Sequence, residues 1–291
     1  MTDFDSLWNF SKPTETEIAF RKVLADMNGK WALDLELQIL TQIARTQGLQ
    51  RKFDDAHQTL DGVKTRLNGE TGTAEVRYFL ERGRVFNSSK RAPEGLPLFV
   101  KAFELAVSRK LENLAVDAAH MVAIAESSAE KQIEWNLRAM KTAEAATEPK
   151  AKKWLGSLYN NMGWTFHESG RFDEALGMFQ KALQFHQNGG KPENVAIAHW
   201  CIGRALRSLK RFDDALKIQL SLEEAAKTAG REPDMYVAEE LGELHLVKNE
   251  QGKARKYFQR AYDLLSKDEW FKANEAARLE RIKQLSEEKS G

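Results

Sequence analysis

Six histidines and one cysteine are the residues best suited to nucleophilic or metal chemistry in this chain. Cys201 and His199 come nearest to a working pair, a thiol beside a base that could take its proton. Two positions apart on a helix, however, their side chains point away from each other, which suits neither a dyad nor two ligands of one metal. The histidines at 57, 120, 167, 186 and 245 are scattered, and no HExxH, paired CxxC or glycine-rich phosphate loop is present. The residues therefore imply a non-enzymatic protein with no metal and no cofactor. Arginine is the residue type whose spacing does suggest chemistry. Arg45, Arg84 and Arg204 each follow a recurring anchor position, and Arg77 and Arg207 share their helical face. A guanidinium is a planar fork that holds a carboxylate by two hydrogen bonds, so such a row would suit an acidic partner. Ordinary surface arginine is the competing reading, because the residue forms helices well on any wet face.

The elements that must carry these residues follow from a repeated stretch. RKFDDAH (51–57), GRFDEAL (170–176) and KRFDDAL (210–216) each join a basic residue, a Phe, two acidic positions and an Ala. Phe172 and Phe212 lie 40 residues apart, and Phe53 lies close to three such periods before Phe172. The clearest unit is residues 159–183. Tyr159, Met162, Gly163 and Phe166 fall at helical spacing, then Gly170 suits a left-handed turn. A second helical pattern follows through Phe172, Ala175, Leu176, Phe179, Ala182 and Leu183. The acidic residues open that helix, where a carboxylate can cap free N–H groups and meet the positive dipole end. The anchor position recurs at 44, 83, 120, 163, 203 and 242, at intervals of 39, 37, 43, 40 and 39.

These residues resemble the tetratricopeptide repeats. Tyr159-x2-Met162-Gly163-x2-Phe166 followed by Ala175-x3-Phe179 matches that family's aromatic-x2-Leu-Gly-x2-aromatic and Ala-x3-Phe pattern. The period of about 40 is similar to the longer repeats of kinesin light chain and of bacterial peptide-sensing regulators. The resemblance implies an all-α, right-handed superhelical solenoid of about 14 helices. It divides the chain into an N-terminal segment and capping helix (1–30), six repeats (31–266) and a C-terminal capping helix and tail (267–291). The longest interval holds TEPKAKK, so 147–153 is a candidate hinge, and 111–153 is the expected weak joint. The first helix of each pair is implied to line a concave groove that takes a peptide segment or helix of a partner. On the family's positions the groove residues are Arg45, Arg77, Arg84, Asn160, Asn161, Trp164, Arg204, Arg207 and Glu243. Asn160 and Asn161 would grip a peptide backbone through their amides. Trp164 offers an apolar platform or a core residue. Position five reads Thr41, Leu80, Asp117, Asn160, Trp200 and Glu239, never Lys, which disfavours the clamp that holds chaperone tails.

Composition bounds the partner class. The 44 basic and 43 acidic residues nearly cancel, against the strong basic excess usual in nucleic-acid-binding domains. One cysteine allows no intrachain disulfide, MTDFDSLWNF lacks the basic start of a secretory signal, and no apolar run reaches membrane-spanning length. The reading is a cytoplasmic adaptor that binds another protein or peptide with an acidic segment, not nucleic acid or membrane. A sensor whose ligand alters a separate effector is the alternative.

Overall fold

The computed structural model describes residues 4–27, 32–232 and 234–287. The chain forms two compact units, Met1–Leu158 and Tyr159–Gly291. Both are built from helices alone among the described residues.

The first unit opens with a 3-10 turn, Phe4–Leu7, and α1, Pro13–Met27. Three helix pairs follow: α2 (Leu33–Leu49) with α3 (Phe53–Lys64), α4 (Gly72–Ser88) with α5 (Ala92–Ser108), and α6 (Glu112–Ala125) with α7 (Ala129–Ala145). A short α8, Pro149–Lys152, precedes α9, Leu155–Glu168, which runs across the boundary between the units. In the second unit α9 pairs with α10 (Phe172–Gln187), α11 (Pro192–Ser208) with α12 (Phe212–Thr228), and α13 (Met235–Val247) with α14 (Gln251–Leu265). The short α15 (Glu269–Asn274) and α16 (Ala276–Glu287) end it. Fourteen of these helices have 12 residues or more. We call the first member of each pair the A helix and the second the B helix.

Close crossings hold each pair together. Gly83, Gly163 and Gly242 on A helices face Phe99, Phe179 and Phe258 on their B helices, always 16 positions later. Those three rings are fully buried. A Cβ added at Gly83 would lie 2.6 Å from the Phe99 ring, which explains why the anchor is glycine. Gly203 follows the same rule against Gln219.

The repeated stretch is explained by the turn between A and B helices. Gly170 adopts φ 74°, and Arg51, Lys90, Lys210 and Asn249 take the same left-handed conformation at the equivalent turns. Each closes its A helix with paired backbone bonds, such as Gly170 N to His167 O at 3.0 Å and Arg171 N to Phe166 O at 2.9 Å. The acidic residues do not cap these helices through their side chains, contrary to the sequence reading. They pair instead with the basic residue before the helix, as Arg211 Nη2 does with Asp214 at 2.8 Å and Arg171 with Glu174. At the left-handed turns a side chain costs about 1–2 kcal/mol relative to glycine. Lys210→Gly should therefore raise stability by about 0.5–1 kcal/mol once the added freedom of the unfolded chain is subtracted. Urea denaturation should show a higher midpoint; a lower one would contradict the turn assignment.

The C-terminal cap is two helices rather than one. A single capping helix was expected within 267–291, but the helix breaks at Glu275, and Trp270 is 60% exposed. Asn274 donates to the Trp270 carbonyl at 2.8 Å, taking an acceptor that a continuing helix would use. The neighbouring Phe271, not Trp270, fills the core. The 147–153 segment is tied to α6. Thr147 N and Glu148 N donate to the Glu112 carboxylate at 2.8 and 2.7 Å, and these backbone donors hold that carboxyl below its ordinary pKa.

Candidate functional site

The A helices place their recurrent arginines on facing carboxylates of the next A helix. In the first unit Arg84 Nη1 donates to Glu81 Oε1 at 2.7 Å, and its Nη2 reaches Asp117 on α6. Arg45 on α2 lies 3.7 Å from the same Glu81. Glu81 and Asp117 are buried. Burial alone would raise the pKa of Asp117, but Arg84 and Arg45 outweigh it and hold the carboxyl below its ordinary value. Burial and the neighbouring Arg84 lower that of Arg45.

The start of the chain covers the remaining arginine of this face. Arg77 Nη2 donates to Asp5 at 3.2 Å and its guanidinium lies 5.3 Å from the Phe4 ring centre. Arg45 lies 5.2 Å from both the Trp8 and Phe10 rings, and Trp8 Nε1 donates to Gln42 at 3.1 Å. Residues 4–10 thus lie across α2 and α4, on the side chains read from sequence as groove residues.

The second unit repeats the pattern. Arg207 on α11 grips Glu240 on α13 with two bonds, 2.7 and 2.8 Å. Arg278 and Arg281 on α16 do the same for Glu239, at 2.7 and 2.6 Å, and for Glu243. Arg204 is the least engaged. Its Nε lies 3.2 Å from a Glu240 oxygen already held by Arg207, and its Nη1 reaches Ser208 at 3.1 Å. Four guanidiniums therefore face three carboxylates here. Burial, followed by Arg207, lowers the pKa of Arg204 despite Glu240.

A second band crosses the A helices obliquely, from the second half of α9 through the middle of α11 to the start of α13. Trp164, Trp200 and Tyr236, on α9, α11 and α13, have ring centres 5.8 and 5.9 Å apart in sequence order. Trp164 is half-buried, edge-on to Phe179 at 5.3 Å, so it packs and faces outward together. The Asn160 side chain accepts from the Cys201 thiol at 3.4 Å, while the Asn161 carbonyl accepts from Thr165. Sequence reasoning missed the carboxylates that answer the arginines, along with Arg278, Arg281 and residues 4–10. A signal did exist. Each arginine that follows an anchor meets an acid two or three residues before the next anchor.

Two predictions follow from buried titratable groups. Burial pushes the Cys201 thiol up to about 12, so roughly one thiol in ten thousand is ionised at pH 8. Iodoacetamide should leave the native thiol intact and modify it on unfolding; rapid native alkylation would contradict this burial. His57, His120, His167, His186 and His199 all have lowered pKa values, with burial as the leading cause. The unfolded chain then takes up protons first as pH falls below about 6.5. The histidine contribution is complete above that pH and is lost as pH falls toward the folded values. The apparent Tm should be lower at pH 5.5 than at pH 7.5; equal or reversed values would contradict it.

The family profile described as tetratricopeptide repeat matches residues 155–188. No curated protein matches the chain in sequence. Among solved structures, the apo form of RapI is similar at TM-score 0.73 and 14% identity, covering 89% of this chain and 73% of that one. NprR in complex with its cognate peptide NprX is similar at TM-score 0.55 and 16% identity, covering 92% and 78%. The nearly identical repeats of a putative kinesin light chain from Podospora anserina align at TM-score 0.55 and 13% identity, covering 68% and 99%. No helix among the described residues is long and apolar enough to cross a membrane. Residues 155–188 thus match a tetratricopeptide repeat, and the glycine–phenylalanine crossings and A and B helix pairs give the chain a fold similar to tetratricopeptide-repeat structures.

Proposed function

We propose that the chain is a non-enzymatic cytoplasmic adaptor that holds a peptide segment or helix of a partner protein on the A-helix face of its second unit. The observation that carries this reading is the pairing of an aromatic band with one guanidinium in excess. Trp164, Trp200 and Tyr236 offer flat apolar surface, and Arg204 must share its carboxylate. An acidic side chain of the partner would engage Arg204 without stripping another arginine of its only carboxylate. Such a contact, 28% exposed on the arginine side, adds specificity and speed of encounter more than affinity. The other groove arginines contribute by positioning the A helices, and Asn161 by its free amide. A ligand-responsive regulator of a separate effector is the second reading, favoured by the likeness to NprR with its bound peptide.

Site-resolved photocrosslinking tests the proposal. A photoreactive residue at Asn161, on the A-helix face, should form adducts with a protein in extracts of the native host, and adduct yield should fall as salt rises. The same residue at Leu220, on a B helix, should not capture that protein. Capture from Leu220 alone, or equally from both positions, would contradict an A-helix site.

A further inference from the structure

Between α11, the end of α12 and the start of α13 lies a cleft of about 590 Å³, a size suited to a ligand group. Its walls are apolar, with Ile197, Trp200, Leu222 and Tyr236 among them. Ile197, a large apolar side chain, is 53% exposed. The Trp200 indole N–H is shut off from solvent without an acceptor among the described residues. The cleft continues the A-helix stripe. On α11, positions 193, 197 and 200 precede Arg204 and Arg207 at helical spacing, and on α13 Tyr236 precedes Glu240 and Glu243.

The rim has the opposite charge to the arginine row. Glu193, Glu232 and Asp234 stand at the mouth against a single cation, Arg231. Asp234 also accepts from Tyr236 N at 2.8 Å, which fixes its carboxylate at the start of α13. An apolar slot with a net negative mouth excludes an acidic neighbour and favours a basic one.

We propose that this cleft is an anchor pocket for one large apolar side chain, aromatic or branched, of a partner segment that carries lysine or arginine on either side of it. The inference rests on the partner-binding reading of the same face and specifies its chemistry. The apolar side chain fills the slot against Trp200 and Tyr236. The flanking cations meet Glu193, Glu232 and Asp234. An acidic residue farther along the segment then lies toward Arg204, so the preferred partner is amphoteric rather than uniformly acidic.

The test uses the full chain labelled with ¹⁵N and three blocked pentapeptides, Lys-Lys-Phe-Lys-Lys, Glu-Glu-Phe-Glu-Glu and Lys-Lys-Ala-Lys-Lys. The Trp200 indole resonance is assigned with Trp200→Phe. The basic phenylalanine peptide should shift that resonance saturably. The acidic one should bind at least threefold more weakly, and the alanine one should cause no saturable shift at the same concentrations. Ile197→Lys, at an exposed position that leaves folding intact by circular dichroism, should weaken the first peptide at least tenfold. The inference is overturned by equal or tighter binding of the acidic peptide, by equal binding of the alanine peptide, by no Trp200 shift, or by unchanged binding to Ile197→Lys. Photocrosslinks from Asn161 alongside any of those results would leave partner binding standing and remove this pocket from it.

Discussion

Arg84→Ala should destabilise the first unit by about 3–5 kcal/mol at neutral pH, because it strands two buried carboxylates at once. Glu81 is 2% and Asp117 7% exposed. Of the two other arginines on this face, Arg45 stands 3.7 Å from Glu81 and Arg77 is engaged by Asp5. Native-state hydrogen exchange at the amides of α4 and α6 reads the loss within the unit that suffers it. The pH dependence has a definite sign. In the native chain Asp117 is held below its ordinary pKa by Arg84 and Arg45, so its stabilisation is present above the unfolded value and lost as pH falls. Without Arg84, burial dominates and raises that pKa, so the deficit of the variant relative to the native chain should shrink on acidification. Arg45→Ala, with a looser contact and 25% exposure, should cost about 1 kcal/mol or less. Replacing Glu81, Arg84 and Asp117 together by Leu, Met and Leu should recover part of the loss, since no buried carboxylate is then left unpaired and only the partly exposed Arg45 loses its partner. An Arg84→Ala chain as protected as the native one would show that these ions contribute nothing to the fold.

Gly95→Ala should cost about 1–3 kcal/mol by overpacking, and more than Gly203→Ala. The new Cβ at Gly95 would lie 2.7 Å from the Gly83 carbonyl oxygen, a backbone atom that cannot swing aside. Gly95 occupies the place that Ala175, Ala215 and Ala254 take in other repeats, so α4 and α5 approach more closely there. Gly163→Ala belongs with it, since its Cβ meets the fully buried Phe179 ring. At Gly203 the obstacle is the Gln219 amide nitrogen at 2.5 Å, the far end of a flexible side chain. Hydrogen exchange of the paired helices should rank the three variants in that way. Equal small effects would mean that the crossings have slack.

Much of the fold was legible because it is written in local patterns. Gly163 and Phe179, Gly242 and Phe258, and the turn at Gly170 all lie within one repeat and recur at a nearly constant period. The candidate site was less legible. Arg84 and Asp117 are 33 residues apart, as are Arg207 and Glu240. Their meeting depends on the register between successive A helices, which no single repeat encodes. Sequence therefore marked the arginine face and misjudged how much of its charge was available. Residues 4–10 escaped for a related reason. FDSLWNF has no periodicity of its own, and its place is set by Arg77, Arg45 and Gln42 on distant helices. The cleft at Trp200 arises only where three helices of two repeats converge.

The recurrent arginines hold A helix to A helix, and a double-mutant cycle on Arg207 and Glu240 tests this most directly. Arg207→Ala, Glu240→Ala and the double variant should be compared by hydrogen exchange in α11 and α13, both of which belong to the second unit. Glu240 is 3% exposed and Arg207 19%, so solvent screens the pair weakly. The coupling should be about 1–3 kcal/mol in favour of the pair. Additive effects, with coupling near zero, would contradict it and return these arginines to the surface as cations awaiting a partner.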